Sequence, residues 1–204
     1  MHPFNTFWFA LATSLNMPED VAKRRWKEIE KCYSSPLRRY HNLNHLQNMA
    51  ENLVDIKPDF DPIIGLAIVY HDLVYNTLRK DNEERSANVA VVRMREILSD
   101  SDLDRLHRYI VATKTHSPGD EWLNILLDID LSILAKSPQE YKAYSRQIRI
   151  EYLWCPSLLY KNGRIKVLES FLNRDFIYQT DYFRNKWEKQ ARENIRLEIE
   201  SLSS

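Results

Sequence analysis

The sequence predicts an all-α protein, and three observations support this prediction. Only three glycines occur in 204 residues, which disfavours an all-β fold or a fold with glycine-rich loops. Apolar residues recur at three- and four-residue spacing, the periodicity of helices with one buried face. No Asn-Gly pair lies between alternating apolar runs, apart from an isolated pair within residues 161–164, so β-hairpins are not expected. The length suits one core, and we expect a single helical bundle over residues 1–204.

Several helix starts are marked by residues that favour the first turn of a helix. Pro18 precedes one helix, and Asp61 with Pro62 at the first helical position begins another. Two capping boxes are predicted, at Asp81 with Glu84 and at Ser137 with Glu140.

The terminal segments are predicted to pack as helices on the core. The N-terminal helix is expected to contribute Phe4, Trp8, Phe9 and Leu11. The charged final helix, from Thr180 to about Glu200, is expected to contribute Phe183, Trp187, Ile195 and Leu197.

Composition argues against several classes of function. The 29 Lys and Arg residues balance 29 Asp and Glu residues, so a general electrostatic grip on a nucleic-acid polymer or on anionic lipid is not expected. Cys32 and Cys155 form no CxxC pair, which argues against a disulfide framework and a thiolate zinc site. No Lys or Arg precedes the apolar N-terminal run, and no uncharged stretch approaches the ~20 residues of a membrane span. We therefore expect a cytoplasmic protein without a membrane partner.

His41 and His45 lie four residues apart in a segment that is predicted to open a helix. The apolar stripe of this helix excludes both histidines and runs through Leu43, Leu46, Ala50, Leu53 and Val54. Taken alone, an H-x-x-x-H pair is more often a pair of solvated polar residues than a pair of ligands. The later histidine and aspartates make a metal site the better interpretation.

His71 and Asp72 end a predicted apolar helix, in the segment LAIVYHDLVY. The apolar face of that helix carries His71 inward, and Asp72 follows directly. A carboxylate in apolar surroundings needs a partner, and a cation would serve. Imidazole and carboxylate together suit Zn, Mn, Fe, Co or Ni and do not select among them.

The segment LLDIDLSIL supplies the fourth candidate ligand. Asp128 and Asp130 are two residues apart, so on a helix they point to different sides and only one can readily join a given site. Asp130 is the predicted ligand, although an isolated aspartate here would more often cap or end a helix. The predicted metal ligands are thus His45, His71, Asp72 and Asp130.

These residues resemble the ligands of the HD superfamily of metal-dependent phosphohydrolases, in which a His, an adjacent His-Asp pair and a distant Asp come from different helices of an all-α domain. The chain also resembles a bacterial group of HD-type phosphohydrolases that carries RxYHNxxHL, HDxVY, DNEERSA, ATKxH and LDxDLxIL. Here these motifs fall at residues 38–46, 71–75, 81–87, 112–116 and 127–134. The resemblance covers nearly the whole chain and implies the HD fold and metal site, without specifying a substrate.

The segment from Tyr40 to His45 further resembles the YHNxxH motif of cyclic nucleotide phosphodiesterases, which share this fold. That likeness implies that His41 is the general acid. The implied reaction is metal-dependent hydrolysis of a phosphate ester by metal-activated water, and the substrate is a phosphomonoester such as a nucleotide or a phosphodiester. The resemblance adds Mg to the candidate metals and allows for a second metal ion in the site.

Phosphate also requires fixed cations, and three lie beside the motifs. These are Arg39, Lys80 and Lys114, of which Lys114 is preferred because it lies within ATKTH. His116 of the same motif could orient substrate or bind a second metal bridged through Asp72. Glu83 and Glu84 are interpreted as acids in a helix first turn, with a role in positioning water as the alternative.

Two other classes of function remain open beside hydrolysis of a small phosphorylated metabolite or nucleotide. A minority of proteins with this fold hold two irons and react with O₂, which would require further ligands such as His116. In a binding or regulatory module the metal would be structural, but a full ligand set with a plausible acid argues against it. A homodimer is also open, because Trp154, Leu158, Leu159 and Tyr160 could form either interface or core.

Overall fold

The computed structural model describes residues 2–203, which form helices and no β-strand. The prediction of an all-α fold is therefore confirmed over this range. A 3₁₀ turn at Leu131–Ala135 separates the seventh and eighth helices. The α-helices, in chain order, are α1 (Phe4–Ser14), α2 (Glu19–Tyr33), α3 (Leu43–Ile56), α4 (Pro62–Tyr70), α5 (Asn82–Met94), α6 (Asp100–Ala112), α7 (Glu121–Asp130), α8 (Pro138–Glu151), α9 (Ser157–Leu172) and α10 (Asp181–Ser203).

Helix α4 lies at the centre of the core. Every residue from Ile63 to Tyr70 is buried, and α4 packs against α1, α3, α5, α6 and α7. A helix that is apolar on all sides has no face to offer to water, so neighbouring helices surround it. The polar residues His71 and Asp72 directly follow α4, so the packing of this helix places them in the interior.

The terminal helices pack on this core largely as predicted. In α1, Phe4, Trp8 and Leu11 are buried, while Phe9 is partly buried. Helix α10 buries Phe183 and Ile195 and packs Trp187 against the core. Two residues placed on apolar stripes are instead exposed, Leu197 at 51% and Val54 at 42%. Their neighbours Glu198 and Leu53 are buried, so Leu197 and Val54 lie on the outer faces of their helices.

Two of the predicted helix starts are confirmed in detail. The Asp61 side chain accepts the backbone N–H of Ile63, with Pro62 in the first turn of α4. Ser137 and Glu140 form a complete capping box at the start of α8.

The capping box predicted at Asp81 and Glu84 is wrong. The carboxylate of Asp81 instead accepts two hydrogen bonds from Arg79, each 2.7 Å long. Glu84 pairs with Lys114 at 2.7 Å. Nearby cations thus take both carboxylates away from the backbone of α5.

The Asn-Gly pair at residues 162–163 forms no turn and lies in the interior of α9. Within residues 2–203, none of the helices is both long enough and apolar enough to cross a membrane.

Candidate metal centre

The ends of three helices bring the four predicted ligands together. His45 lies in the first turn of α3, His71 is the residue at which α4 ends, and Asp130 is the last residue of α7. Asp72 follows His71 in the chain. Both histidines are buried, and the side chains of Asp72 and Asp130 are each 14% exposed.

The candidate ligand atoms lie at the spacing of a shared coordination shell. His45 Nε2 and His71 Nε2 are 3.3 Å apart. His71 Nε2 lies 3.2 Å from Asp72 Oδ2, and His45 Nε2 lies 3.2 Å from Asp130 Oδ1. Metal–ligand bonds of ~2.1 Å at tetrahedral or octahedral angles place neighbouring ligand atoms ~3.0–3.4 Å apart. His45, His71 and Asp72 therefore form a group that could hold a metal ion, and Asp130 contacts both of its histidines.

Hydrogen bonds fix His71 and the turn that carries Asp72. His71 Nδ1 lies 3.0 Å from the carbonyl oxygen of Ile68, so Nδ1–H donates to it and Nε2 presents a lone pair to the site. The buried guanidinium of Arg38 donates to the carbonyl oxygens of Asp72 at 2.6 Å and of Leu73 at 2.8 Å. Arg38 thereby satisfies carbonyl groups just beyond the end of α4 and holds the ligand pair in place.

The carboxylates and imidazoles of this group are electrostatically coupled. Burial opposes protonation of His71, but Asp72 and Asp130 outweigh it and raise the His71 pKa to about 9. Burial also opposes ionisation of Asp130, whereas hydrogen bonds with His116 and His45 hold its pKa well below the usual range. For His45, burial prevails and lowers the pKa. The two ionised carboxylates thus favour a positive charge in this group, and a divalent metal would take the place of the proton on His71.

His41 does not lie on α3, contrary to the prediction. The helix begins at Leu43, because the side chain of Asn42 accepts the backbone N–H of Asn44 and caps it. The ring centroids of His41 and His45 are nevertheless 5.9 Å apart.

Glu151, at the end of α8, holds His41 and is not among the predicted site residues. Its Oε2 lies 2.7 Å from His41 Nδ1 and accepts the Tyr75 hydroxyl at 2.6 Å. Its Oε1 accepts the backbone N–H groups of residues 39–41 at 2.7, 2.8 and 3.1 Å. Burial opposes ionisation of this carboxyl, but these donors, His41 first, lower the Glu151 pKa to about 2. In turn, although burial opposes it, the charges of Asp72 and Glu151 raise the pKa of His41.

Asp128 and Asp130 have different surroundings, although both lie in the last turn of α7. Asp128 is fully buried and accepts the backbone N–H groups of Gln179 at 2.6 Å and Thr180 at 2.8 Å. It thereby anchors the segment that leads into α10. Asp130, by contrast, lies among the candidate ligands.

A cavity of about 930 Å³ opens beside the candidate ligands and is lined by His41, His71, Asp72 and Asp130. Lys80 also lines it and makes no ion pair with another residue of the described range. Lys114 lines it while paired with Glu84. Arg39 has an exposed side chain and is not part of the lining, so a role in binding substrate finds no geometric support.

His116 and Glu83 extend the polar side of the cavity. His116 Nε2 lies 3.3 Å from Asp130 Oδ2, which places this histidine next to the candidate ligands. Burial, followed by the nearby charge of Asp72, raises the pKa of Glu83. Glu84 does not line the cavity and pairs with Lys114 instead.

Fold and site together define an all-helical protein with a buried His/Asp group that could hold a metal ion. Comparisons with protein-family models, curated proteins and solved structures found no significant match.

Proposed function

We propose that this protein is a metal-dependent phosphohydrolase, in which metal-activated water cleaves a phosphate ester. One juxtaposition carries the proposal. A His/Asp group suited to a divalent cation and a histidine held by a buried carboxylate border the same cavity. The resemblance of the sequence motifs to the HD superfamily supports the same assignment.

The metal, when bound, would lower the pKa of a water molecule toward neutrality and polarise a phosphoryl oxygen. In the hydrolysis, the water oxygen bonds to phosphorus, the ester P–O bond breaks, and the leaving alcohol requires a proton. His41 supplies this proton as general acid. Burial opposes protonation of His41, but Asp72 and Glu151 raise its pKa and so increase its protonated fraction at a given pH. Lys80 and Lys114, on the cavity wall, offset the negative charge of the phosphate.

A metal-dependent assay of the wild type and His41→Ala tests this function. Protein purified without chelator or His-tag and loaded with Mn, Zn, Fe, Co, Ni or Mg is expected to hydrolyse members of a panel of phosphomonoesters and phosphodiesters. His41→Ala should retain the metal and lose ~10²–10⁴-fold in kcat. His107→Ala, on α6 and outside the cavity lining, is the matched control and should behave as the wild type.

Two results of this assay would contradict the proposal. A metal-loaded wild type that turns over no ester of the panel would exclude the hydrolase and favour a binding module with a structural metal. Full activity of His41→Ala at unchanged metal content would remove His41 from the mechanism.

A two-iron oxygenase is a second candidate, because the two carboxylate oxygens of Asp130 contact two different histidines and could each serve a separate metal ion. Its Oδ2 lies 3.3 Å from His116 Nε2, while its Oδ1 lies 3.2 Å from His45 Nε2. His116 has a φ of 51°, a left-handed conformation that residues other than glycine seldom adopt and that is often found at functional sites. Two irons per chain together with oxygen uptake would favour this activity, and one metal per chain without oxygen uptake would exclude it.

A further inference from the structure

The cavity beside the candidate metal ligands has two chemically different sides. The first carries the His/Asp group with Lys80, Glu83 and Lys114. The second, here called the α9 wall, runs from the end of α8 through α9 and is mostly apolar or aromatic, although Arg164 and Arg174 also line this side. The apolar and aromatic residues of the α9 wall are Ile148, Tyr152, Trp154, Leu159, Tyr160, Val167, Leu168 and Phe171.

The cavity is much larger than a phosphate group requires. Its volume is about 930 Å³. This volume lies near the upper end of the ~300–1,000 Å³ typical of sites for small organic molecules. Room therefore remains for the alcohol part of an ester, and the α9 wall is the surface which that part would meet.

Gly163 leaves an opening in the α9 wall. A Cβ added at this position would meet no atom within 4 Å. At Gly65, by contrast, a Cβ would lie 2.9 Å from the side chain of Leu11, so packing explains that glycine. The backbone φ of Gly163 is not positive, and a glycine inside a helix lowers the stability of the helix. Gly163 is exposed on the cavity side of α9, and because it has no side chain and no neighbour within 4 Å of a Cβ position, it leaves space there for a ring.

The apolar side chains next to this opening are exposed or held rigidly. Leu159 is 62% exposed and Val167 is 48% exposed, one helical turn on either side of Gly163. The indole of Trp154 is half exposed, and its Nε1–H donates to the Thr77 hydroxyl at 2.7 Å. An anchored indole offers a flat surface at low entropic cost, which suits stacking with another ring.

We infer that the substrate is a phosphate ester whose alcohol part carries an aromatic ring system, and that this ring lies against α9 over Gly163. The inference rests on the proposed function. The phosphate lies at the metal end, where Lys80 and Lys114 match its charge, and the ring covers the exposed side chains of the α9 wall. A small sugar phosphate would leave that wall in contact with water and would forgo the hydrophobic gain.

Two esters with similar leaving groups, phenylpropyl phosphate and propyl phosphate, test this inference. The wild type is expected to show ~10-fold or higher kcat/KM for the phenyl-bearing ester, because burying a ring contributes favourably to binding. In Gly163→Leu the new side chain takes the space of the ring, so the ratio of the two kcat/KM values should fall toward one. Asn162→Leu is the matched control, since Asn162 is exposed on α9 outside the cavity lining, and it should keep the wild-type ratio.

Calorimetric binding of the two esters to metal-free protein separates this inference from the proposed function. Phenylpropyl phosphate is expected to bind ~10-fold tighter than propyl phosphate, with the difference lost in Gly163→Leu and kept in Asn162→Leu. If metal-loaded protein hydrolyses neither these two esters nor any ester of the wider panel, but this binding pattern holds, the proposed function fails and the aromatic site stands. If both esters bind equally, or if Gly163→Leu keeps the preference, the inference is overturned whether or not hydrolysis is seen.

Discussion

The candidate metal ligands and the α9 wall border the same cavity, but they are built in opposite ways. His45, His71 and Asp130 lie at the ends of α3, α4 and α7, which pack together in the core. In α9, only Tyr160 and Leu168 of its 16 residues are buried. Side chains fixed by a core can hold a precise coordination geometry, while an exposed wall can change without disturbing it. Under the proposed function, the first region would determine the chemistry and the second would determine the substrate.

Replacing His71 by Ala is expected to have the largest effect, because it removes a candidate metal ligand from the region fixed by the core. The change removes one imidazole and leaves the negative charges of Asp72 and Asp130 without the histidine that contacts both. Metal affinity should fall by more than the ~10–100-fold that follows from loss of an outer-shell partner. Metal content per chain after dialysis, measured by mass spectrometry, checks this. His107→Ala should keep its metal, and a His71→Ala protein that binds metal as tightly as the wild type would contradict the assignment.

Glu198→Gln is expected to destabilise the α9 side without removing metal. Glu198 of α10 accepts hydrogen bonds from Arg164 of α9 at 2.9 and 3.1 Å, and their side chains are 6% and 10% exposed. A neutral glutamine leaves the guanidinium buried without its counter-charge, which should lower the free energy of unfolding by about 3 kcal/mol. Urea unfolding at neutral pH measures this change. Glu169→Gln, at an exposed position of α9, is the control and should be close to neutral.

Acidification should reduce the effect of Glu198→Gln. Burial opposes ionisation of Glu198, but Arg164 holds its pKa below the ordinary value of 4.5. Because the folded protein favours the ionised form, the stabilisation is complete above that value and is lost as pH falls through and below it. The difference in unfolding free energy between wild type and Glu198→Gln should therefore shrink from about pH 6 to about pH 3. A difference that stays constant over this range would show that the pair contributes nothing through charge.

Glu151→Gln is expected to reduce catalysis while leaving metal and fold in place. Glutamine keeps an acceptor oxygen for the backbone of residues 39–41 but removes one of the two charges, those of Asp72 and Glu151, that raise the His41 pKa. The acid form of His41 is then lost at lower pH, so the alkaline limb of the pH–rate profile should move to lower pH. We expect kcat at neutral pH to fall ~10-fold or more. If Glu151 acts through His41, the double variant His41→Ala/Glu151→Gln should be no worse than His41→Ala, and additive losses would contradict this role.

Gly163→Ala is expected to have the smallest effect, and the effect should be stabilising. The added methyl meets no atom within 4 Å, so the gain in helix propensity should raise the free energy of unfolding by ~0.5–1 kcal/mol. Gly65→Ala should do the opposite, because its methyl would lie 2.9 Å from Leu11. Urea unfolding of both variants checks the pair, and destabilisation by Gly163→Ala would contradict an open α9 wall.

The fold class could be predicted because the relevant patterns are local. The meeting of the four candidate ligands, which are spread over residues 45–130, could be anticipated only from their residue types and from their resemblance to a known ligand pattern. Scarce glycine, apolar periodicity and cap residues such as Asp61 and Ser137 indicate helices within a few residues. The pair His71 and Asp72 directly follows a fully apolar segment, so its burial can be anticipated from neighbouring residues alone.

The support of His41 could not be predicted, because it depends on contacts between distant parts of the chain. Glu151 is 110 residues from His41, and no local pattern distinguishes it from other acidic residues at helix ends. Competition between nearby side chains accounts for two further errors. Asn42 caps α3 and leaves His41 outside the helix, and Arg79 draws Asp81 away from the start of α5.

Locating the metal by anomalous X-ray scattering would test the central claim most directly. Crystals of protein loaded with Mn, Fe, Co, Ni or Zn, measured on both sides of the absorption edge of that metal, reveal the position of the ion. We expect an anomalous peak ~2.0–2.2 Å from His45 Nε2, His71 Nε2 and a carboxylate oxygen of Asp72, with Asp130 completing the shell. Loaded crystals with no peak at this group, or with metal bound only elsewhere, would contradict the claim.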